Sequence, residues 1–188
     1  MAIHLRKLYI ALTALVLLFG QPQGALAQSE DEQLAQWMKE LAVAEPGDAA
    51  RLTREIERLW SKSGSTALDS LLRRGREALG EDDTEAAIEH FSALTDHAPD
   101  FAEGFHARAT AYFMTKRYGP ALQDLQRTLI LNPQHYNALY GLGIMFQELG
   151  DYVRAEQAFL MVLDLHPHHE RATEALDALK REGIGRTL

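Results

Sequence analysis

Apolar residues recur with helical spacing along most of the chain after residue 28. Leu34, Trp37, Met38 and Leu41 fall at positions i, i+3, i+4 and i+7, which places them on one face of a helix. The same spacing, interrupted by turn residues such as Pro46-Gly47, predicts nine helices between residues 29 and 182. Six of these helices form three consecutive pairs, at 68–80 with 83–96, 102–115 with 118–131, and 136–149 with 152–165.

Four columns of residues repeat every 34 positions within these pairs. They hold a small residue in the first helix, an alanine early in the second helix, a large apolar residue four positions later, and a proline at the end of the unit: Gly75, Ala109, Gly143; Ala87, Ala121, Ala155; Phe91, Leu125, Phe159; and Pro99, Pro133, Pro167. A fixed period of this length indicates a solenoid, in which each unit buries its apolar face only against its neighbours.

Each column has the residue type that its place requires. Small side chains let two antiparallel helix backbones approach closely. The large residues follow the alanines by four positions and share their helix face, so we expect them to fill the core of each unit. A proline inside a helix removes a backbone hydrogen bond and clashes with the preceding turn, so the prolines mark the junctions between units.

These columns resemble the tetratricopeptide repeat family. Tyr112 and Phe146 stand at the family's aromatic place in the first helix, and Tyr118 and Tyr152 stand where a tyrosine opens the second. Gly150-Asp151-Tyr152 also matches the family's turn. The resemblance covers about 100 of the 188 residues and implies an all-α fold, a right-handed α-solenoid of three repeats at 68–101, 102–135 and 136–169.

The chain departs from the family pattern in two places. Ala78 and Thr84 replace the two aromatic residues in repeat one. Leu94, Thr128 and Val162 replace the usual small residue late in the second helix, so the stacking angle between units is expected to differ.

Residues 28–65 are predicted to form an N-terminal helical hairpin that caps the stack. Ser29 and Glu32 form a capping box at its start, and Asp48 is the predicted cap of its second helix. Trp37 and Trp60 are expected to cover the open end of the repeats. Residues 170–188 are predicted to be a C-terminal capping helix and tail, in which Leu176 and Leu179 face the stack.

Residues 1–27 have the pattern of a secretory signal peptide. Arg6 and Lys7 precede an apolar run of 12 residues, 8–19, and Ala25-Leu26-Ala27 is a small-x-small cleavage signal. We therefore expect cleavage after Ala27 and a periplasmic protein of bacterial type, with no membrane span after cleavage. The alternative is an uncleaved signal that anchors the domain to a membrane.

Composition narrows the function classes. The chain has 188 residues, 46% of them hydrophobic, and no cysteine, which excludes disulfides, thiolate metal sites and cysteine nucleophiles. Loss of Arg6 and Lys7 would leave 17 basic and 27 acidic residues. Nucleic-acid binding depends on neutralising phosphates with basic residues, so nucleic acid is not an expected partner. No phosphate loop, dinucleotide fingerprint or nucleophile elbow is present, so we expect neither an enzyme nor a cofactor.

Histidines raise one further alternative. His166, His168 and His169 form a tight run around Pro167, and imidazole suits zinc, copper or nickel. The other interpretation is a polar loop at a repeat boundary. No further ligand has helical spacing to this run, so no metal site is assigned.

The resemblance implies a concave groove lined by the first helices, where family members hold peptides or helices. The implied groove residues are Leu72, Arg76, Leu79, His106, Thr110, Phe113, Asn137, Tyr140, Ile144 and Gln147. Exposed aromatic residues among polar ones are typical of an interaction site. The alternative is that the chain's own termini cover Phe113 and Tyr140 and make them part of the core.

The leading hypothesis is therefore a non-enzymatic periplasmic scaffold that binds a peptide or helix of another envelope protein in this groove. The alternatives are a structural subunit of an envelope assembly, or a homo-oligomer, and a histidine-based metal-binding protein.

Overall fold

The computed structural model describes residues 24–181, which fall into two compact units, one ending at Gln36 and one beginning at Trp37. Within this range lie nine helices, α1 to α9 in chain order: Gly24–Leu41, Pro46–Trp60, Thr66–Gly80, Thr84–His97, Ala102–Met114, Tyr118–Leu131, Tyr136–Glu148, Tyr152–Leu165 and Glu170–Arg181. None of these helices combines the length and the apolar character needed to cross a membrane.

Helices α3 to α8 are the three predicted pairs, and their ends differ from the prediction by at most two residues. Within each pair the two helices pack against each other, and the second helix of one pair packs against the first helix of the next. The predicted all-α solenoid is therefore confirmed. Helix α9 continues the stack through Ala172, Leu176 and Leu179, which are buried as expected for its inner face.

The N-terminal hairpin begins and caps differently from the prediction. Helix α1 begins at Gly24, so Ser29 lies inside the helix and the predicted capping box does not start it. Glu45 rather than Asp48 is the N-cap of α2, because Pro46 occupies the first helical position, where a missing N–H leaves no bond unmade. The predicted signal peptide lies outside the described residues except for residues 24–27.

The small and large columns fit each other by volume. A Cβ atom on Gly75 would lie 2.3 Å from Cε1 of Phe91. A Cβ atom on Gly143 would lie at the same distance from Cε1 of Phe159. In repeat two the large column holds Leu125, which is smaller than phenylalanine, and the small column holds Ala109 in the same apolar cluster. In each unit the two helix backbones therefore stay close, because a larger residue in one column is matched by a smaller residue in the other.

Large and small residues are also matched between neighbouring repeats. Leu94 is fully buried, and a Cβ atom on Gly104, at the start of the next repeat, would lie 3.2 Å from its Cγ. At the equivalent places in the next two units stand Ala138 and Ala172, both fully buried. The bulk that replaces the family's small residue in α4 is therefore accommodated by a missing side chain on α5.

Each pair turns through a residue with left-handed backbone, and these residues also stand 34 positions apart. Asp82, Lys116 and Gly150 have φ values of 61°, 59° and 76°. The next residue donates its N–H to a carbonyl five positions earlier, as Asp151 does to Phe146 at 2.8 Å. This is the Schellman arrangement, which satisfies carbonyls left free at a helix end. Only the third repeat places glycine at this position.

A bidentate ion pair joins α5 to α6. Nε of Arg108 donates to Oδ2 of Asp124 at 2.7 Å, and Nη2 donates to Oδ1 at 2.9 Å. Nη1 also donates to Oγ1 of Thr95 on α4 at 2.7 Å, which ties repeat two to repeat one. These hydrogen bonds with Asp124 raise the pKa of Arg108 against the opposing effect of burial.

The close approach of Gly75 to Phe91 predicts a specific loss of stability. Gly75→Ala should lower the free energy of unfolding by about 1–3 kcal/mol, since the added methyl overpacks the core. Adding Phe91→Leu recreates the Ala109–Leu125 combination and should recover part of this loss. Thermal unfolding followed by circular dichroism measures both.

Gly80 supplies the control, because nothing lies within 4 Å of a Cβ built on it. Gly80→Ala should be neutral or slightly stabilising, as alanine favours a helix over glycine. Equal stability of Gly75→Ala and Gly80→Ala would contradict the volume argument.

Candidate functional site

Helix α2 packs against the predicted groove rather than across the end of the stack. Oε1 of Glu57 accepts a hydrogen bond from Nδ2 of Asn137 at 2.8 Å. The indole of Trp60 stacks on the imidazole of His135, with ring centroids 4.5 Å apart. Both partners lie at the start of α7 in repeat three. The prediction that the tryptophans cover the open end is therefore wrong for Trp60, because its indole stacks on the histidine at the start of repeat three.

A cavity of about 880 Å³ remains beside α2, and eight of the ten predicted groove residues line it: Arg76, Leu79, His106, Thr110, Phe113, Asn137, Tyr140 and Ile144. Leu72 does not line it. Its side chain is buried with Phe91 in the core of repeat one, so its assignment to the groove is wrong. Gln147 also lies outside the lining, and its Oε1 is buried without a hydrogen-bond partner in the described chain. The partner-binding role of the other eight stays a prediction.

Part of the cavity wall comes from outside the repeats. Helix α2 and the residue after it contribute Arg54, Glu57, Arg58, Trp60 and Ser61, and α9 contributes Arg171. The guanidinium of Arg171 lies 4.7 Å from the ring centroid of Tyr140. The chain's own hairpin and α9 therefore form part of the cavity wall, but Phe113 and Tyr140 still line the open cavity.

A buried carboxylate lies in the cavity wall. Oε1 of Glu103 accepts a hydrogen bond from Nη2 of Arg76. Its Oε2 lies 2.9 Å from Nε2 of His135 and 3.4 Å from Nδ1 of His106. Burial alone would raise the pKa of Glu103, but its contacts with His106, and then with His135, hold that pKa well below its usual value. Glu103 is thus an ionised anchor for residues from three first helices or their caps.

The tautomer of His135 follows from its contacts. Its Nδ1 accepts a hydrogen bond from the N–H of Ala138 at 3.2 Å, which makes it the N-cap of α7. The proton is therefore on Nε2, which donates to Glu103. Burial lowers the pKa of His135, so the ring is neutral at pH 7. His169 caps α9 in the same way through Ala172, and burial lowers its pKa to about 4.

Glu103, His106 and His135 form the one group in residues 30–181 whose potential metal ligands converge, within 4.8 Å of one another. A metal on Nε2 of His135 would move the ring proton to Nδ1, where it would meet the N–H of Ala138. The guanidinium of Arg76 already occupies the second carboxylate oxygen, so a metal would sit beside another cation. The donor set therefore fits a buried ion-pair network better than a metal centre.

The histidine run fastens the hairpin to the turn before α9. Nε2 of His166 lies 2.9 Å from Oγ1 of Thr53 on α2. Nε2 of His168 donates to the carbonyl oxygen of Ala44 at 2.8 Å. His169 instead turns its Nδ1 to the backbone of α9. The three rings engage three different partners, which disfavours the metal-binding alternative for this run.

A family model described as tetratricopeptide repeat matches residues 72–127 and 107–170, which together span more than half of the chain. The chain belongs to the tetratricopeptide repeat family. The resemblance carried by the 34-residue columns is therefore confirmed.

Relatives of this tetratricopeptide repeat protein differ in how much of their length it matches. A TPR repeat-containing protein of Rhizobium etli is 27% identical over 141 residues, which cover 75% of this chain and 69% of that protein. Protein bimA of Emericella nidulans is 32% identical over 85 residues, which cover 45% of this chain and 10% of that protein. The Rhizobium protein agrees with the expected bacterial origin.

Solved structures share the fold. The first TPR of Spaghetti (RPAP3), bound to an HSP90 peptide, matches with a TM-score of 0.60 and 23% identity over 63% of this chain and 94% of that one. MamA matches with a TM-score of 0.57 and 23% identity over 75% and 86%. The second TPR of Spaghetti, also bound to an HSP90 peptide, matches with a TM-score of 0.52 and 27% identity over 54% and 94%.

The tetratricopeptide pattern did not reveal Glu103, His135 or Trp60 as parts of the site. Trp60 comes from the hairpin, which has no counterpart among the repeat columns. The two histidine caps left a signal that could have been read. His135 and His169 stand 34 residues apart, each directly before a helix, in the register that an N-cap requires.

The neutral histidines predict that the protein becomes less stable as the pH is lowered. His135, His166 and His169 have an ordinary pKa of 6.5, and burial lowers it in the folded protein. Between about pH 6.5 and 4 the unfolded chain binds more protons than the folded one. The free energy of unfolding therefore decreases as the pH is lowered through this range. At pH 5, His169 alone should account for about 2 kcal/mol.

His169→Asn isolates this contribution, because asparagine can still cap α9. Its melting temperature should fall less steeply between pH 7 and pH 5 than that of the wild type. Identical slopes for the two proteins would contradict the assignment of His169.

Proposed function

We propose that this protein is a non-enzymatic interaction scaffold that binds a segment of another envelope protein in the cavity between α2 and the repeats. The observation that carries the proposal is the cavity itself, whose lining combines Phe113, Tyr140 and Ile144 with arginines. Aromatic and arginine side chains in a concave site are the residues that contribute most to protein–protein binding. The peptide-bound TPRs of Spaghetti support the same use of the fold.

The walls of the cavity are fixed before any partner arrives. Glu57, Trp60 and Thr53 hold α2 in place through bonds and ring contacts with repeat three and the turn before α9. A partner therefore does not have to order this helix on binding, which preserves binding free energy.

Filling the cavity, or removing its apolar side chains, should weaken binding. Thr110 is exposed in the lining, so Thr110→Trp should fill the cavity without disturbing the core. Phe113→Ala and Tyr140→Ala should remove apolar contacts, and each variant should weaken partner capture about tenfold or more. Capture from an envelope extract of the source organism, quantified by mass spectrometry, measures the loss.

Met114 is the matched control, since it is 49% exposed on α5 and lies outside the cavity lining. Met114→Ala should capture the same proteins as the wild type. The proposal fails if Thr110→Trp, Phe113→Ala and Tyr140→Ala, with unchanged circular dichroism, capture every protein that the wild type does.

Export completes the proposal. The basic start, the apolar run and Ala25-Leu26-Ala27 support cleavage after Ala27 and release to the periplasm. Expression of the full chain in a Gram-negative host should yield a periplasmic protein whose N-terminal residue is Gln28, as intact mass will show. A full-length protein in the membrane fraction would instead favour the uncleaved anchor.

One observation favours the structural-subunit alternative. Val153, Leu160 and Met161 on α8 and Ile130 on α6 are each about half exposed or more. Val153 and Leu160 lie seven positions apart on one helix face. If this face joins two copies, light scattering will show a concentration-independent dimer that Leu160→Glu separates.

A further inference from the structure

The cavity carries positive charge in an acidic protein. Its lining holds four arginines and two glutamates, whereas the whole chain has a net charge of −8. Glu103 is neutralised by Arg76. Glu57 accepts a hydrogen bond from Asn137. Glu57 keeps its negative charge, but four guanidinium groups against two carboxylates leave the lining with a net positive charge.

Two of the four arginines have no acidic partner in residues 30–181. Arg58 pairs with Glu55 on its own helix, and Arg76 pairs with Glu103. Arg54 forms no ion pair in this range, and Arg171 contacts the face of Tyr140 without an acid. Aromatic contact leaves the guanidinium edge free to donate hydrogen bonds, and a guanidinium recognises a carboxylate through two parallel donors.

An apolar surface lines the same cavity as Arg54 and Arg171. Leu79, Phe113 and Ile144 supply that surface, and all three are partly buried. Trp60 adds an indole N–H that is buried without a hydrogen-bond partner in the described residues. The lining therefore offers apolar contact, cationic donors and one unused donor.

The size of the cavity limits its occupant. Two turns of α-helix, about 11 Å long and 10–12 Å wide, would fill roughly 800–1,200 Å³. The cavity of about 880 Å³ is therefore large enough for a segment of about two helical turns. Residues 1–23, which lie outside the described part of the chain, carry Arg6 and Lys7 and no acid, so their charge does not suit this site.

We propose that the cavity binds a short acidic segment of a partner protein, with an apolar side chain against Phe113 and Ile144 and carboxylates on Arg54 and Arg171. The site is composite, because the hairpin and α9 supply the cations and the repeats supply the apolar surface. This inference rests on the proposed function and names the chemistry of the partner.

Selection from a phage-displayed library of random heptapeptides on the immobilised protein tests the proposal. Enriched peptides should combine at least two Asp or Glu residues with a neighbouring Leu, Ile, Met or Phe. A synthetic copy with every Asp and Glu changed to Asn and Gln should bind at least tenfold more weakly. Arg54→Glu with Arg171→Glu should weaken the acidic peptide by at least tenfold and favour a lysine-substituted one.

Arg51→Glu with Arg181→Glu is the matched control, since both arginines are exposed on α2 and α9 and neither lines the cavity. This variant has the same net charge as the test variant and should retain the acidic peptide within about threefold. Equal losses in the two double variants would mean that overall charge, and not the cavity, attracts the peptide, and would overturn the inference.

Thr110→Trp separates this inference from the proposed function. Neutral or basic peptides that are enriched and then lost in Thr110→Trp would overturn the acidic partner while leaving the groove as a binding site. Acidic peptides that survive Thr110→Trp bind elsewhere and would overturn the inference. A selection that yields no peptide sensitive to Thr110→Trp would count against the proposed function as well.

Discussion

The approach of two helix backbones at a glycine or alanine is the constraint on which the rest of the structure depends. Gly75 lies so close to the ring of Phe91 that no side-chain atom fits between them. Packed interiors leave no spare volume, so a change in one column must be matched in its partner. The same exchange joins Leu94 to Gly104 across a repeat boundary. Because this rule acts inside each unit and between units, it fixes where the first helices lie and hence where a groove can exist.

The site adds polar contacts to this apolar frame. Glu103 is nearly buried and survives as an anion because Arg76, His106 and His135 surround it. A buried charge without partners would be strongly destabilising, whereas a satisfied network mainly specifies geometry. His135 has a second task, since its other nitrogen caps α7. One imidazole thus links the start of a helix, a buried acid and the indole of Trp60.

Much of the fold could be predicted from the sequence, because the 34-residue columns and the helix period are local signals. The repeat register located Ala121, Leu125 and six helices with errors of at most two residues. The left-handed backbone at Asp82 and Lys116 could not be predicted, because aspartate and lysine do not indicate a positive φ as glycine does. The place of α2 could not be predicted either. Its apolar face is equally suited to the end of the stack and to the groove, and only contacts far apart in the chain decide between them.

Those distant contacts explain why the groove differs from one lined by first helices alone. On α2, Trp60 stacks on His135 and Thr53 is hydrogen-bonded to His166. Both histidines are neutral because burial lowers their pKa. Protonation of His166 would place a new donor at Nδ1, which is buried without an acceptor in the described chain. The wall of the cavity and the stability of the stack therefore depend on the same uncharged rings. A partner that binds between α2 and the repeats will depend on them too, because without that wall the groove loses Arg54, one of the two lining arginines that have no acidic partner in residues 30–181.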